Sequence, residues 1–500
     1  MIETNDPTRT MDSRGYGAVA TADAARRDPP AGVRHWLALP IILAGVFMVT
    51  LDFFIVNVAI PSMQRGLHAN AAAIQFVIAG YGLAVAAGLI TGGRLGDLYG
   101  QRRLFALGLA LFTLTSAACG LAPTPALLVL ARVAQGLAAA LLLPQALTLL
   151  GSVYTGADRA RAFTAYGVAL GLAAIGGQLM GGVLIQADVA GLDWRACFLV
   201  NVPIGAALLL MPRLIPASRA EGRGRLDLAG TVLVTLGLVA VVLPLIEGRE
   251  QGWPLWTWLC LAAAAPLLLA FGRYQRWLGV RGGQPLIDPA LCGERAFTVG
   301  LLITVVFFAG MASFFLVLAL YLQQGRGLDP LASGEIFTVL AVGYCATSLG
   351  AGRFTQRLGR QALAVGALAI AAGLALLVVT VAHIGLGGPA ALLAPALLLD
   401  GAGMGLVIAP LTATVLAGLA PRHAGAAAGV LSTMQQVGGA LGVALIGLIF
   451  YGALGHVALG HVAPRHAYPR AFDAGLLYLI VLALVVAVLI QLLPRDRDRG

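Results

Sequence analysis

An all-α polytopic membrane protein is the fold class this sequence predicts, and three observations predict it. Hydrophobic residues make up 59% of the 500-residue chain and charged residues 11%, with a mean hydropathy of +0.89. A soluble chain typically carries about 25% charged residues. The apolar residues fall into fourteen long, continuous runs rather than short alternating strands, so helices and not a closed barrel must satisfy the backbone inside lipid. The 32 basic residues are all arginine, and 25 of them fall in the segments that would lie on one side of the membrane. That asymmetry orients the spans. The same numbers exclude a disordered chain, a disulfide scaffold and a nucleic-acid-binding module, despite a net charge of +10.

Residues 1–35 are polar, of mixed charge, and lack the apolar core of a signal peptide, so they are expected to form a disordered cytoplasmic tail. Spans one to fourteen are expected at about 37–61, 72–92, 104–122, 125–150, 162–186, 197–215, 227–246, 255–272, 297–322, 332–351, 362–382, 389–418, 424–452 and 474–493. At ~20 residues each they account for the apolar fraction. With the N-terminus inside, only Arg65, Arg195, Arg249, Arg326, Arg465 and Arg470 fall outside, and Arg132 lies within a span. An odd span count would scramble the later loops. Both termini, including residues 494–500, are therefore expected in the cytoplasm. The five cysteines are scattered with no CxxC spacing, so no metal site is expected.

Three features recur in order along the chain. Gly66-Leu67 is repeated as Gly327-Leu328, Gly93-Arg94 with Gly100 as Gly352-Arg353 with Gly359, and Pro144 as Pro410. These matches indicate a duplicated six-helix unit. The halves are expected at 36–216 and 296–493, with residues 217–295 as a linker carrying spans seven and eight. Duplicated halves around a midplane site are transporter architecture.

At this point the residues resemble a known family. Gly93-Arg94-Leu95-Gly96-Asp97-Leu98-Tyr99-Gly100-Gln101-Arg102-Arg103 is similar to the signature between spans two and three of the major facilitator superfamily. Leu51-Asp52 with Val56-Asn57-Val58-Ala59-Ile60-Pro61 resembles the first-helix motif of its fourteen-span drug:proton antiporters. Arg132-Val133-Ala134-Gln135-Gly136 resembles their fourth-helix motif, and Trp194-Arg195 with Phe198 to Gly205 is also characteristic. Gly177-Gln178-Leu179-Met180-Gly181-Gly182 departs from the fifth-helix antiporter motif by carrying Gln178 where the family has proline. A proline would remove a helical hydrogen bond, and Gln keeps it. The resemblance implies a major facilitator fold, a small-molecule substrate, and a monomer in the lipid bilayer of the inner membrane. It implies no cofactor beyond the proton gradient and no nucleic-acid partner.

Only Asp52, Arg132 and Asp400 lie deep within spans. An ionisable group there needs an explanation. At 1.5 Å per residue they lie roughly 14, 11 and 16 Å from the outer ends of spans one, four and twelve. The resemblance places those spans around a central cavity, so one polar cluster is expected, with Gln135 and Tyr81 contributing. Proton coupling or substrate contact is one reading, and a static ion pair that fixes packing is the other. Asp400 belongs to no family motif. Gly93, Arg94, Asp97, Gly100, Arg102 and Arg103 read as a cytoplasmic gate latch, or as a topology signal with a tight turn. Gly171, Gly176, Gly177, Gly181 and Gly182 give span five a flat face, which reads as tight packing or as a sliding gate. His456, His461 and His466 read as a solvated loop, and the RDRDRG terminus as a solvated tail.

Proton-driven export of small amphipathic compounds is the expected function, with import of a metabolite on the same fold as the alternative. A membrane-embedded enzyme would need a cluster of catalytic side chains in a sizeable loop, and the loops at 216–226 and 273–296 carry none. No P-loop is present for ATP.

Overall fold

The computed structural model describes residues 32–154, 156–216, 227–283, 285–286, 293–416, 421–458 and 464–494. Among them the chain is helical and contains no strand. Most of the expected N-terminal tail and the RDRDRG terminus lie outside the described residues, as do the side chains of His456, His461 and His466. The first five expected spans are carried by α1 (Gly32–Leu67), α2 (Ala71–Tyr99), α3 (Gln101–Gly120), α4 (Pro125–Val153) and α5 (Gly156–Ala187). The first helix begins at Gly32, inside the segment expected to be tail.

Span six differs from expectation. It is built from two short helices, α6 (Ala196–Leu199) and α7 (Asn201–Leu209). Pro203 has no N–H to give the carbonyl of Leu199, which interrupts the ladder. Val200 between them keeps helical dihedrals (φ −59°, ψ −29°). Helices α8 (Leu228–Glu250) and α9 (Leu255–Val280) follow, and then α10 (Arg295–Leu320), α11 (Pro330–Ser348), α12 (Ala351–Leu358), α13 (Gln361–Ile384), α14 (Ala394–Leu416), α15 (Pro421–Ala458) and α16 (Pro464–Ile490). Among the described residues 13 helices are long and apolar enough to cross a membrane. They correspond to the expected spans other than the sixth.

The sequence writes the helix starts. Asn70 and Asp329 cap α2 and α11 by accepting from the backbone N–H groups of Ala73 and Ala332 at 2.9 and 2.8 Å. Thr124 does the same for α4, ahead of Pro125 at the first helical position. Gly100 ends α2 at φ +93°, a conformation a side chain would strain.

Helix pairings recur along the chain. In the first group α2 and α3 pack on α4, α1 on α5, and α3 on α7; in the second, α11 and α13 pack on α14, α10 on α15, and α13 on α16. Across the groups, α2 meets α15 and α5 meets α11. The α8–α9 hairpin leans on α2 and α15 through α8, while α9 turns Trp258, Leu259 and Leu269 outward. The close approaches are made by glycine. A Cβ on Gly136 would lie 2.5 Å from the carbonyl oxygen of Tyr81, and one on Gly401 would overlap the carbonyl of Leu340.

At the end of the bundle that carries the α1–α2 turn, polar side chains join the two groups. A π-helical turn, Tyr321–Gly325, extends α10. It lets Gln323 donate to the Val58 carbonyl at 2.9 Å and Gln324 to Gln64 Oε1 at 2.5 Å, while the Tyr468 hydroxyl donates to Gln324 at 2.6 Å. Glu250, at the end of α8, accepts from the side chain of Asn70 and from the Ala72 N–H. Its neighbour Arg249 donates to the Tyr451 carbonyl of α15 at 3.2 Å. Consecutive residues of α8 therefore hold one group each.

Gly136→Ala and Gly401→Ala should each destabilise the fold by about 1–3 kcal/mol, because a methyl group forces the paired backbones apart. Thermal unfolding in detergent reads this, and Gly167→Ala, where nothing lies within 4 Å, is the control.

Candidate functional site

Deep in the first group, α1 carries Asp52 and α4 carries Arg132, exposed to 0% and 1%. Arg132 Nη1 lies 2.6 Å from Asp52 Oδ2. Helical spacing puts Gln135 one turn from Arg132 on the same face, and its Oε1 accepts from Arg132 Nη1 at 2.6 Å. Gln135 Nε2 donates to Asp52 Oδ1 at 3.0 Å and to Ser116 Oγ of α3 at 3.1 Å. Asn201 Nδ2, the first residue of α7, donates to the same Asp52 oxygen and to Ser116 Oγ, both at 2.9 Å. Ser116 donates onward to the Phe198 carbonyl at 2.9 Å. Arg132 Nε donates to the Val77 carbonyl of α2 at 3.1 Å, and the guanidinium lies over the Tyr81 ring, 4.1 Å from its centroid.

This network ties five elements to one carboxylate. A desolvated ion pair is costly unless its remaining lone pairs and protons are satisfied. Here both carboxylate oxygens have donors, and the guanidinium has a charge partner, two neutral acceptors and an aromatic face. Adding a proton to Asp52 would remove the charge that holds Arg132 while leaving the amide groups in place.

The expected cluster is thus formed by Asp52, Arg132, Gln135 and Tyr81, but Asp400 does not join it. Equal depth does not imply a shared face. α14 presents Asp400 to a separate pocket bounded by α10, α13 and α16. Ser116, Asn201 and Cys119, which donates to Gln135 at 3.5 Å, went unselected as site residues. Asn201 lies inside the motif at the sixth span, and Ser116 is one of three hydroxyl residues, with Thr113 and Thr115, in an apolar span.

The fifth-helix residues are buried packing positions. A Cβ on Gly177 would lie 3.0 Å from the Leu51 carbonyl oxygen, beside Asp52, and one on Gly181 would lie 3.1 Å from the Ile55 oxygen. On the other side, a Cβ on Gly182 would lie 2.6 Å from the Pro330 oxygen of α11. Helix α5 thus touches the Asp52 segment and the second group at once. Gln178 is buried, and neither its Nε2 nor its Oε1 has a hydrogen-bond partner.

The loop motif after α2 is partly described. A Cβ on Gly93 would sit 3.7 Å from Pro144 of α4, Gly100 makes the turn, and Arg102 donates to the Ile215 carbonyl at 3.2 Å. Arg103 is exposed and Arg94 half-buried, and the side chain of Asp97 lies outside the described residues. Among the described residues no three His, Cys, Asp or Glu side chains group together to hold a metal.

The family model of the Major Facilitator Superfamily matches residues 42–443. A probable actinorhodin transporter of Streptomyces coelicolor is 37% identical over 452 residues, covering 89% of this chain and 77% of its own. A puromycin resistance protein of Streptomyces alboniger is 40% identical, over 86% and 84%. The multidrug resistance protein Stp of Mycobacterium tuberculosis is 32% identical, over 81% and 74%. In fold, the chain is similar to the xylose transporter XylE from E. coli, with a TM-score of 0.61 at 11% identity over 92% and 100% of the two chains.

Arg132→Ala strands Asp52 in an apolar interior and should cost about 3–5 kcal/mol of stability. Asp52→Asn combined with Arg132→Gln should cost clearly less than the sum of the single changes, read by thermal unfolding. Gly182→Ala should impair transport while sparing the ion pair, because it wedges α5 from α11; a transport assay on folded protein checks this.

Proposed function

Since the chain belongs to the major facilitator superfamily, we propose that it exports small amphipathic compounds of the drug and antibiotic class across the inner membrane in exchange for protons. It is a transporter and not an enzyme. The names of its relatives support the direction and the compound class. In this reading residues 36–216 and 296–493 are the two moving halves, and 217–295 is a linker. The recurring helix pairings support that division. The arginine asymmetry supports cytoplasmic termini and puts the α1–α2 end outside. The end fastened by the Gln323, Gln324, Arg249 and Glu250 contacts then faces outward, and a compound would be taken up from the cytoplasmic side. One chain supplies both halves, so a monomer in the bilayer suffices.

The observation that carries the reading is the buried Asp52–Arg132 pair. A proton arriving at Asp52 cancels its charge and releases Arg132. The carboxyl keeps its amide partners, Gln135 and Asn201, so the network loosens without unfolding. The Asp52 segment of α1 then moves against α5 at Gly177 and Gly181, and α5 passes the movement to α11 at Gly182. A cationic compound in the path competes with the proton for the same carboxylate.

The test uses inverted membrane vesicles holding a preformed pH gradient. Puromycin or ethidium should collapse the gradient in the wild type and not in Asp52→Asn. Equal collapse in both would remove Asp52 from coupling, and no collapse with either compound, in vesicles containing folded protein, would reject the proposed exchange for those compounds. The Arg249 and Glu250 contacts give a second check. In a cysteine-free background carrying Ser62→Cys, a buried position near these contacts, Arg249→Gln with Glu250→Gln should raise thiol labelling from the outer face.

A further inference from the structure

The recurring helix contacts identify matching positions in the two groups. Gly136 of α4 lies on the carbonyl of Tyr81, and Gly401 of α14 lies on the carbonyl of Leu340. Tyr81 and Leu340 are separated by the same offset that relates Gly93 to Gly352, and Asn70 to Asp329 at the helix caps. These backbone contacts set the helices one residue off the Pro144–Pro410 match, so the residues just before the two glycines correspond: Gln135 in the first group and Asp400 in the second. Gln135 sits in the middle of the polar network. Asp400, exposed to 1%, sits in the matching space between α10, α13, α14 and α16.

The surroundings of the two positions are opposite. Where the first group has an ion pair, a serine and an asparagine, the second has an apolar wall that includes Phe307, Ile370, Met404 and Ala483. The position matching Arg132 is Leu397, fully buried. No residue lining the space from α10, α13 or α16 is ionisable, and α11 contributes none to the lining. Tyr344 of α11 meets α14 through its backbone nitrogen at Gly401. Neither carboxyl oxygen of Asp400 has a hydrogen-bond partner. An ionised carboxylate in that setting would have lost its water without gaining a counter-charge or a donor. The carboxyl faces a cavity of about 30 Å³, room for a water molecule or two.

We propose that Asp400 is a second proton site, occupied in this conformation and discharged through water when the second group rearranges. The ligand is a proton alone: with one carboxylate and no other polar group, the wall cannot coordinate a metal cation. The first group thus holds a charged pair that a proton opens, and the second holds a neutral acid that water discharges. A contribution to the transport cycle rests on the exchange proposed above. The protonation of Asp400 does not.

Infrared spectra of the purified protein in lipid test this without substrate or gradient, so their failure is distinct from failure of the export reading. The wild type should show a protonated-carboxyl stretch at neutral pH that fades as the pH is raised. Asp400→Asn should lose that band, Asp52→Asn should keep it, and Asp400→Glu should restore it at a shifted frequency. A wild type without the band, an Asp400→Asn spectrum that retains it, or a band that persists at every alkaline pH where the protein stays folded would each overturn the proposal.

Discussion

A carboxylate and a guanidinium 2.6 Å apart, both buried, constrain everything around them. Neither charge tolerates the loss of the other, because an uncompensated ion in that setting costs far more than a surface pair gains. The surrounding groups follow from this need. Arg132, Gln135 and Asn201 saturate the oxygens, Ser116 braces the two amides, the Val77 carbonyl takes a guanidinium proton, and the Tyr81 ring covers its face. Asp52 accepts directly from α4 and α7, and α2 and α3 join the same network through the Val77 carbonyl and Ser116. Such an arrangement is rigid while the charge is present, and in the proposed exchange a single proton loosens it.

Rigidity at the pair becomes movement elsewhere only if the neighbouring surfaces can slide. The glycines supply that property. At Gly177, Gly181 and Gly182 the backbone of α5 lies against α1 on one side and α11 on the other with no room for a Cβ. Small-residue contacts bring backbones close without interlocking long side chains. At the opposite extreme, the α1–α2 end is fastened by Gln323, Gln324, Arg249 and Glu250. Apart from the buried Gln323–Val58 bond, these contacts are part-buried, so they can be exchanged for water at small cost. The inserted α8 enters this picture as a strap between groups, through its last two residues.

Much of this was legible in the sequence. Hydropathy and arginine asymmetry gave the spans, because lipid imposes a strict length and a strict polarity on each. Asp52 and Arg132 stood out because a charge in a span has few bland explanations. Span six carries a break in its hydrogen-bond ladder, before Pro203, that its apolar run conceals. Asp400 faces a different pocket from the expected cluster: counting residues gives only a depth, whereas the face a side chain presents depends on how α14 packs between α11 and α13. Asn201 and Ser116 carry no charge, and a single amide or hydroxyl in an apolar run reads the same whether it braces a carboxylate or caps a carbonyl. Gln178 was legible as a departure from the family motif, and its unpartnered side chain keeps that departure unexplained.

In the proposed cycle the charge state of Asp52 determines which end of the bundle is open. Spin labels at Leu121 and Gly387, exposed positions on the α3–α4 and α13–α14 turns at the fastened end, would report the separation of the two groups directly. Pulsed dipolar distances in lipid nanodiscs should shift with acidification in the wild type. In Asp52→Asn they should be fixed at the acid value at every pH. A variant whose distances still followed pH as the wild type does would contradict the claim that this carboxylate sets the conformation.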